Sequence, residues 1–91
     1  MIFVNFYSWD QDKRDEVIKR RLEKGRMFPK GVKVLGEWGA IGGNKGVIVV
    51  EVDDPKLLYQ AVLAWSDVLY SDVFLALDTE KDALGLLKGG G

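Results

Sequence analysis

Cysteine and histidine are both missing from this 91-residue sequence. Without cysteine, disulfides, thiolate nucleophiles and zinc–thiolate sites are excluded. Without histidine, the chain lacks the commonest general base near neutral pH and the commonest transition-metal ligand. Proton transfer or metal binding would fall to carboxylates, tyrosines, lysines and backbone groups. No apolar run approaches the roughly 18–20 residues of a membrane span. The opening Met1-Ile2-Phe3-Val4-Asn5-Phe6 also lacks the basic start and small-residue cleavage pattern of a signal peptide. A cytoplasmic location with no membrane partner is therefore expected. Charge of one sign is lacking too: thirteen basic residues stand against fourteen acidic ones, a net of −1. That balance disfavours a protein built mainly to hold nucleic acid.

What is present is ordinary for a folded domain, with 47% apolar and 11% aromatic residues. The length allows one domain, and a second core would need roughly twice as much chain. A domain this small is viable but not generously stabilised, so association with a second copy would help it.

Along the chain, β-branched and aromatic residues over 2–9 predict a first strand. Asp10 and Asp12 follow as candidate N-caps of a helix over 11–25, with Val17, Ile18 and Leu22 as a narrow apolar stripe and Gly25 as C-cap. Val32 to Ile41 predicts a second strand, interrupted by Gly36 and Gly39, which suggest a bulge. Gly42-Gly43-Asn44-Lys45-Gly46 predicts the turn of a hairpin, completed by a strand from Val47 to Asp53. Asp53-Asp54-Pro55 starts a second helix whose inner face carries Leu58, Ala61, Val62 and Trp65. Val68 to Leu77 predicts a fourth strand. The body thus covers residues 1–82, followed by a C-terminal tail over 83–91 that ends in three glycines.

This order, β-α-β-β-α-β, is the split βαβ pattern of the ferredoxin-like α+β fold: a four-stranded antiparallel sheet with two helices on one face. Strand parity separates Ile2, Val4 and Phe6 from Phe3, Asn5, Tyr7 and Trp9. Taking the purely apolar set as the helix-covered side leaves Phe3, Tyr7, Trp9, Val47, Val49, Tyr70 and Phe74 on the other face. A monomer does not normally leave so large an apolar patch in water. A twofold partner, sheet against sheet, is the simplest cover.

Val32-Lys33-Val34-Leu35-Gly36-Glu37-Trp38, Gly42-Gly43-Asn44-Lys45-Gly46 and Val49-Val50-Glu51-Val52-Asp53-Asp54-Pro55 become informative together. With Trp65-Ser66-Asp67 and Leu77-Asp78, this string resembles an uncharacterised prokaryotic family, domain of unknown function 3303, over residues 1–82. The resemblance implies a dimeric α+β barrel and a homodimer, and no assigned activity or cofactor. The wider superfamily it points to holds cofactor-independent oxygenases, haem enzymes and plain binding modules, and shared fold does not choose among them.

The candidate ligand pocket consists of Asn5, Tyr7, Trp9, Glu37, Trp38 and Glu51. If Asn5, Glu37, Glu51 and Asp72 share one face with Tyr7 and Tyr70, carboxylates held near aromatics would have raised pKa values and serve as acid or base. The same oxygens suit a hard cation such as magnesium. The plain alternative is a polar dimer rim whose carboxylates reach solvent or pair with Lys33 or arginine side chains, and no metal site or cofactor is assigned. The glycine cluster 39–46 is no phosphate loop, because a strand rather than a helix follows it. Nine basic residues against three acidic ones between Lys13 and Lys33 would suit an RNA contact through the first helix. Yet the third strand lacks the aromatics that an RNA recognition motif stacks on bases, and a solvated basic helix face is the plainer reading. Function remains open between a small-molecule-binding module, an oxygenase or isomerase that needs no cofactor, and an RNA-contacting domain.

Overall fold

Residues of high strand propensity form β1 (Ile2–Ser8) in the computed structural model, which describes residues 1–89. A short 3₁₀ turn, Gln11–Lys13, leads into α1 (Arg14–Lys24), which stops at Gly25 with φ of 67°. Neither aspartate caps it as expected. Asp10 makes no side-chain cap bond and instead accepts a 2.9 Å hydrogen bond from Tyr70 Oη. β2 (Lys33–Gly39) and β3 (Lys45–Glu51) make the hairpin, turning through Gly43 and Asn44 at φ of 82° and 64°. The register slips between Val34 and Gly36, which is the bulge that Gly36 suggested.

α2 (Pro55–Trp65) begins as its sequence dictates, with Asp54 accepting from the Lys56 backbone N–H at 3.0 Å. β4 (Tyr70–Ala76) follows, then a π-helical turn at Thr79–Ala83 and α3 (Leu84–Gly89). The sheet order is β2-β3-β1-β4 with every pairing antiparallel, which is the ferredoxin-like arrangement. Among the described residues no helix is long and apolar enough to cross a membrane. Of the three terminal glycines, Gly89 closes α3, while Gly90 and Gly91 lie outside the described residues.

The assignment of faces is the main correction. Phe3 pairs with Val50, Asn5 with Ile48 and Tyr7 with Gly46, so these side chains share the face on which Ile48 and Val50 are buried under the helices. Phe3 and Tyr7 pack on the cluster of Ile48, Val50, Val52 and Leu58, and Trp9 packs on that of Val17, Trp65 and Val68. The outward face instead carries Val4 and Phe6 opposite Val49 and Val47, with Phe74 and Tyr70 beyond. Phe6 stacks on Phe74 with ring centroids 5.9 Å apart. Period-two alternation separates two sets of side chains without saying which set meets the helices. Here Asn5 and Tyr7 of β1 belong to the inner set.

That inner layer is split. Its two buried clusters, one under α2 and β3 and one joining α1 to the turn before β4, are separate. α1 buries only Val17, leaving Ile18 and Leu22 exposed, so the first helix covers its side of the sheet loosely. Arg20 reinforces the contact from outside. Its guanidinium bonds Asp67 at 2.7 and 2.8 Å and Glu16 at 3.0 Å, and lies 5.5 Å from the Trp65 ring centre. Beyond β4, the π-turn runs directly into α3. Leu77, Leu84, Leu86 and Leu87 there stay exposed. The longest dimension reaches 52 Å and the radius of gyration 15.3 Å, against about 12 Å for a compact chain of this length.

Candidate functional site

Between the two clusters lies a cavity of about 260 Å³, bordered by Ile48, Val50 and Leu58 of one and Val17 and Trp65 of the other. Its walls are mostly apolar, and Ile18 and Leu22 of the loosely seated α1 stand at its edge. Polar groups enter from β1, β2 and β4 through Asn5, Tyr7, Glu37 and Ser71, and from the α1 side through Arg21 and Arg26.

Glu37 is the hub. Its carboxylate accepts from Tyr7 Oη at 2.6 Å, from both terminal nitrogens of Arg21 at 3.1 and 2.7 Å, and from Arg26 Nε at 2.9 Å. Burial alone would push its pKa up, but these hydrogen bonds outweigh it and hold the carboxyl at about 2. Burial, reinforced by the bond to Glu37, pushes the Tyr7 phenol well above its ordinary value. Arg21 is raised by its bond to the same carboxylate. The expectation of a raised carboxylate is thus reversed at Glu37, because three donor side chains surround it.

One glycine makes the hub possible. Gly46 faces Tyr7 across the β1–β3 pair, and a Cβ there would sit 2.5 Å from Tyr7 Oη and 2.6 Å from Cζ. The phenol therefore lies over bare backbone to reach β2. Gly46→Ala should displace it, lowering stability by about 1–3 kcal/mol and bringing Tyr7 ionisation back toward its normal range. Chemical denaturation with a spectrophotometric tyrosine titration checks both; an unchanged titration would show that the phenol needs no such gap.

Two buried polar atoms on the cavity wall lack partners: Asn5 Oδ1 and Trp9 Nε1. The other end of the Asn5 amide reaches Ser71 Oγ at 3.4 Å, and the Trp9 ring stacks on Tyr7 at 6.1 Å. Leaving such groups unsatisfied costs about 1–3 kcal/mol each, and sites of that kind gather where a protein has work to do.

Of the six residues expected to form one pocket, Asn5, Tyr7, Trp9 and Glu37 do come together here. Trp38 and Glu51 do not. Trp38 lies on the outward face over Gly36, beside a shallow groove near Phe6 and Val47. Glu51 pairs with Ile2 and Asp72 with Phe6, so both acids project from the outward face. The grouping of four carboxyl and amide side chains that suggested magnesium is thereby undone. Among the described residues no cluster of three metal-ligating side chains exists.

Sequence reasoning missed Arg21, Arg26 and Gly46. The arginines were read as part of a solvated basic face, and the glycine as a turn residue. Only the length of the arginine side chains and their position opposite a lone strand glutamate hinted otherwise. The same contacts bear on the basic stretch, since Arg20, Arg21 and Arg26 are all engaged with carboxylates of this chain.

The chain is similar to a candidate antibiotic biosynthesis monooxygenase from Deinococcus radiodurans, at 12% identity and a TM-score of 0.49, over 86% of this chain and 94% of that one. It is also similar to an uncharacterised NIPSNAP-like domain protein from Burkholderia xenovorans, at 12% identity and a TM-score of 0.47, over 85% and 86%. No curated protein matches the sequence. The family model described as Domain of unknown function (DUF3303) matches residues 1–90, and the chain belongs to that family.

Proposed function

We propose that this protein is a small-molecule-binding module that works as a cytoplasmic homodimer, holding its ligand in the cavity between the sheet and the two helices. The cavity carries the reading. A 91-residue domain that leaves about 260 Å³ between its sheet and helices unfilled by its own side chains forgoes close packing there. An apolar cavity of about 150 Å³ already takes up benzene, so a compact bicyclic or short-chain molecule suits this one. Asn5 and Trp9 offer an acceptor and a donor to orient it.

Binding is favoured over turnover by the state of the ionisable groups. A carboxyl held at about 2 is a weak base at neutral pH, and a phenol pushed upward is a weak acid. The dimer reading rests on the outward face, where Phe6, Trp38, Tyr70 and Phe74 are all exposed. A cytoplasmic setting suits a chain that needs no disulfide.

Native mass spectrometry of freshly purified protein tests both parts. A dimer carrying one retained small molecule per chain is expected. Val62→Phe, which fills the cavity from α2, should abolish the adduct and keep the dimer. A bare mass, with no thermal stabilisation by any of a set of small apolar compounds, removes the binding reading.

A further inference from the structure

The cavity is lined by three charged side chains, and they do not balance. Arg21 and Arg26 carry two positive charges, and Glu37 carries one negative charge. Arg21 spends both terminal nitrogens on Glu37, whereas Arg26 engages it only through Nε, at 2.9 Å. Among the described residues the two terminal nitrogens of Arg26 make no hydrogen bond. They form a planar pair of donors, the geometry that suits the two oxygens of a carboxylate. The Arg26 side chain is 39% exposed and that of Glu37 14%, so the surplus charge stands at the watery end of an otherwise oily chamber.

Resting on the binding function proposed above, we infer that the ligand is an amphipathic monocarboxylate, its apolar body in the cavity and its carboxylate on the terminal nitrogens of Arg26. One surplus positive charge matches one negative charge, which favours a monoanion over a phosphate ester. The apolar walls reject a ligand that is charged throughout, and the lone guanidinium disfavours a cation. Glu37 acts here as a positioning residue. It fixes Arg26 by its inner nitrogen and turns the remaining donors outward.

Isothermal titration with two matched pairs tests this: naphthalene-2-carboxylate against naphthalene-2-carboxamide, and octanoate against octanamide. Members of each pair share shape and differ in charge. At low salt at least one acid should bind tenfold or more tightly than its amide, and added salt should shrink that ratio. Arg26→Gln should bring the ratio near one, chiefly by weakening the acids, and Arg26→Lys should restore part of the preference. Circular dichroism confirms that each variant is folded, and the salt series needs no variant at all. Amides that bind as well as the acids overturn the anion assignment and leave the binding function intact. If none of the four binds, both fall.

Discussion

Glu37→Gln should lower stability at pH 7 by on the order of 3 kcal/mol, the largest single-residue effect expected in this protein. The carboxylate is mostly buried and receives four hydrogen bonds from three side chains. A glutamine can accept only part of that set and carries no charge. Arg21 and Arg26 retain access to water, so the stranded cations can rehydrate, which keeps the loss near the lower end for a broken buried pair. Against a total of about 5–15 kcal/mol, the change is severe.

The pH dependence gives the prediction a sign. Folding lowers the Glu37 pKa from its ordinary 4.5 to about 2. Its contribution is therefore fully present above 4.5 and lost as pH falls through 2. Denaturant titrations at intervals from neutral pH into that range should show the wild type losing more stability than Glu37→Gln, until the two converge. Asp67, also held at about 2 by its bond to Arg20, titrates in both proteins and cancels in the difference. Parallel curves for wild type and variant would mean that the hub contributes nothing. On the alkaline side, the raised Tyr7 pKa keeps its contribution intact below the ordinary tyrosine value and releases it only above.

A charge placed on the outward face should separate the proposed dimer. Phe6→Glu puts a carboxylate where Phe6 now stacks on Phe74, at 52% exposure in the single chain. Burying an unpaired charge against a second sheet costs several kcal/mol, enough to move a dimerisation constant by three orders of magnitude or more. Sedimentation velocity should report a dimer for the wild type and a monomer for the variant at the same concentration. Because Phe6 projects away from the cavity, the variant should keep its fold. A wild-type chain that sediments as a monomer at high concentration removes the dimer, while the cavity and its ligand remain to be judged separately.

The element order, the hairpin turn at Gly43-Asn44, the bulge near Gly36 and the Asp54 cap were all legible in the sequence. Each depends on residues next to one another in the chain. The orientation of the sheet was not. Asn5 and Tyr7 look like members of the face left for a dimer partner because their set is mixed, and inside they meet Ser71 and Glu37. The mixed face of β1 was itself a signal, in keeping with an apolar chamber under the helices that holds a few polar groups. Arg21 and Arg26 could not be paired with Glu37 by inspection either. Their partner is more than ten positions away, and Tyr7 joins them over Gly46 of a third strand, where a Cβ would crowd it.

The three tryptophans occupy three distinct surroundings. Trp65 is buried in the core with its indole N–H on the Arg26 carbonyl, Trp9 borders the chamber, and Trp38 lies on the outward face. Variants retaining one indole at a time would thus separate the cavity wall, seen by Trp9 and Trp65, from the outward face, seen by Trp38, as optical signals without any attached dye.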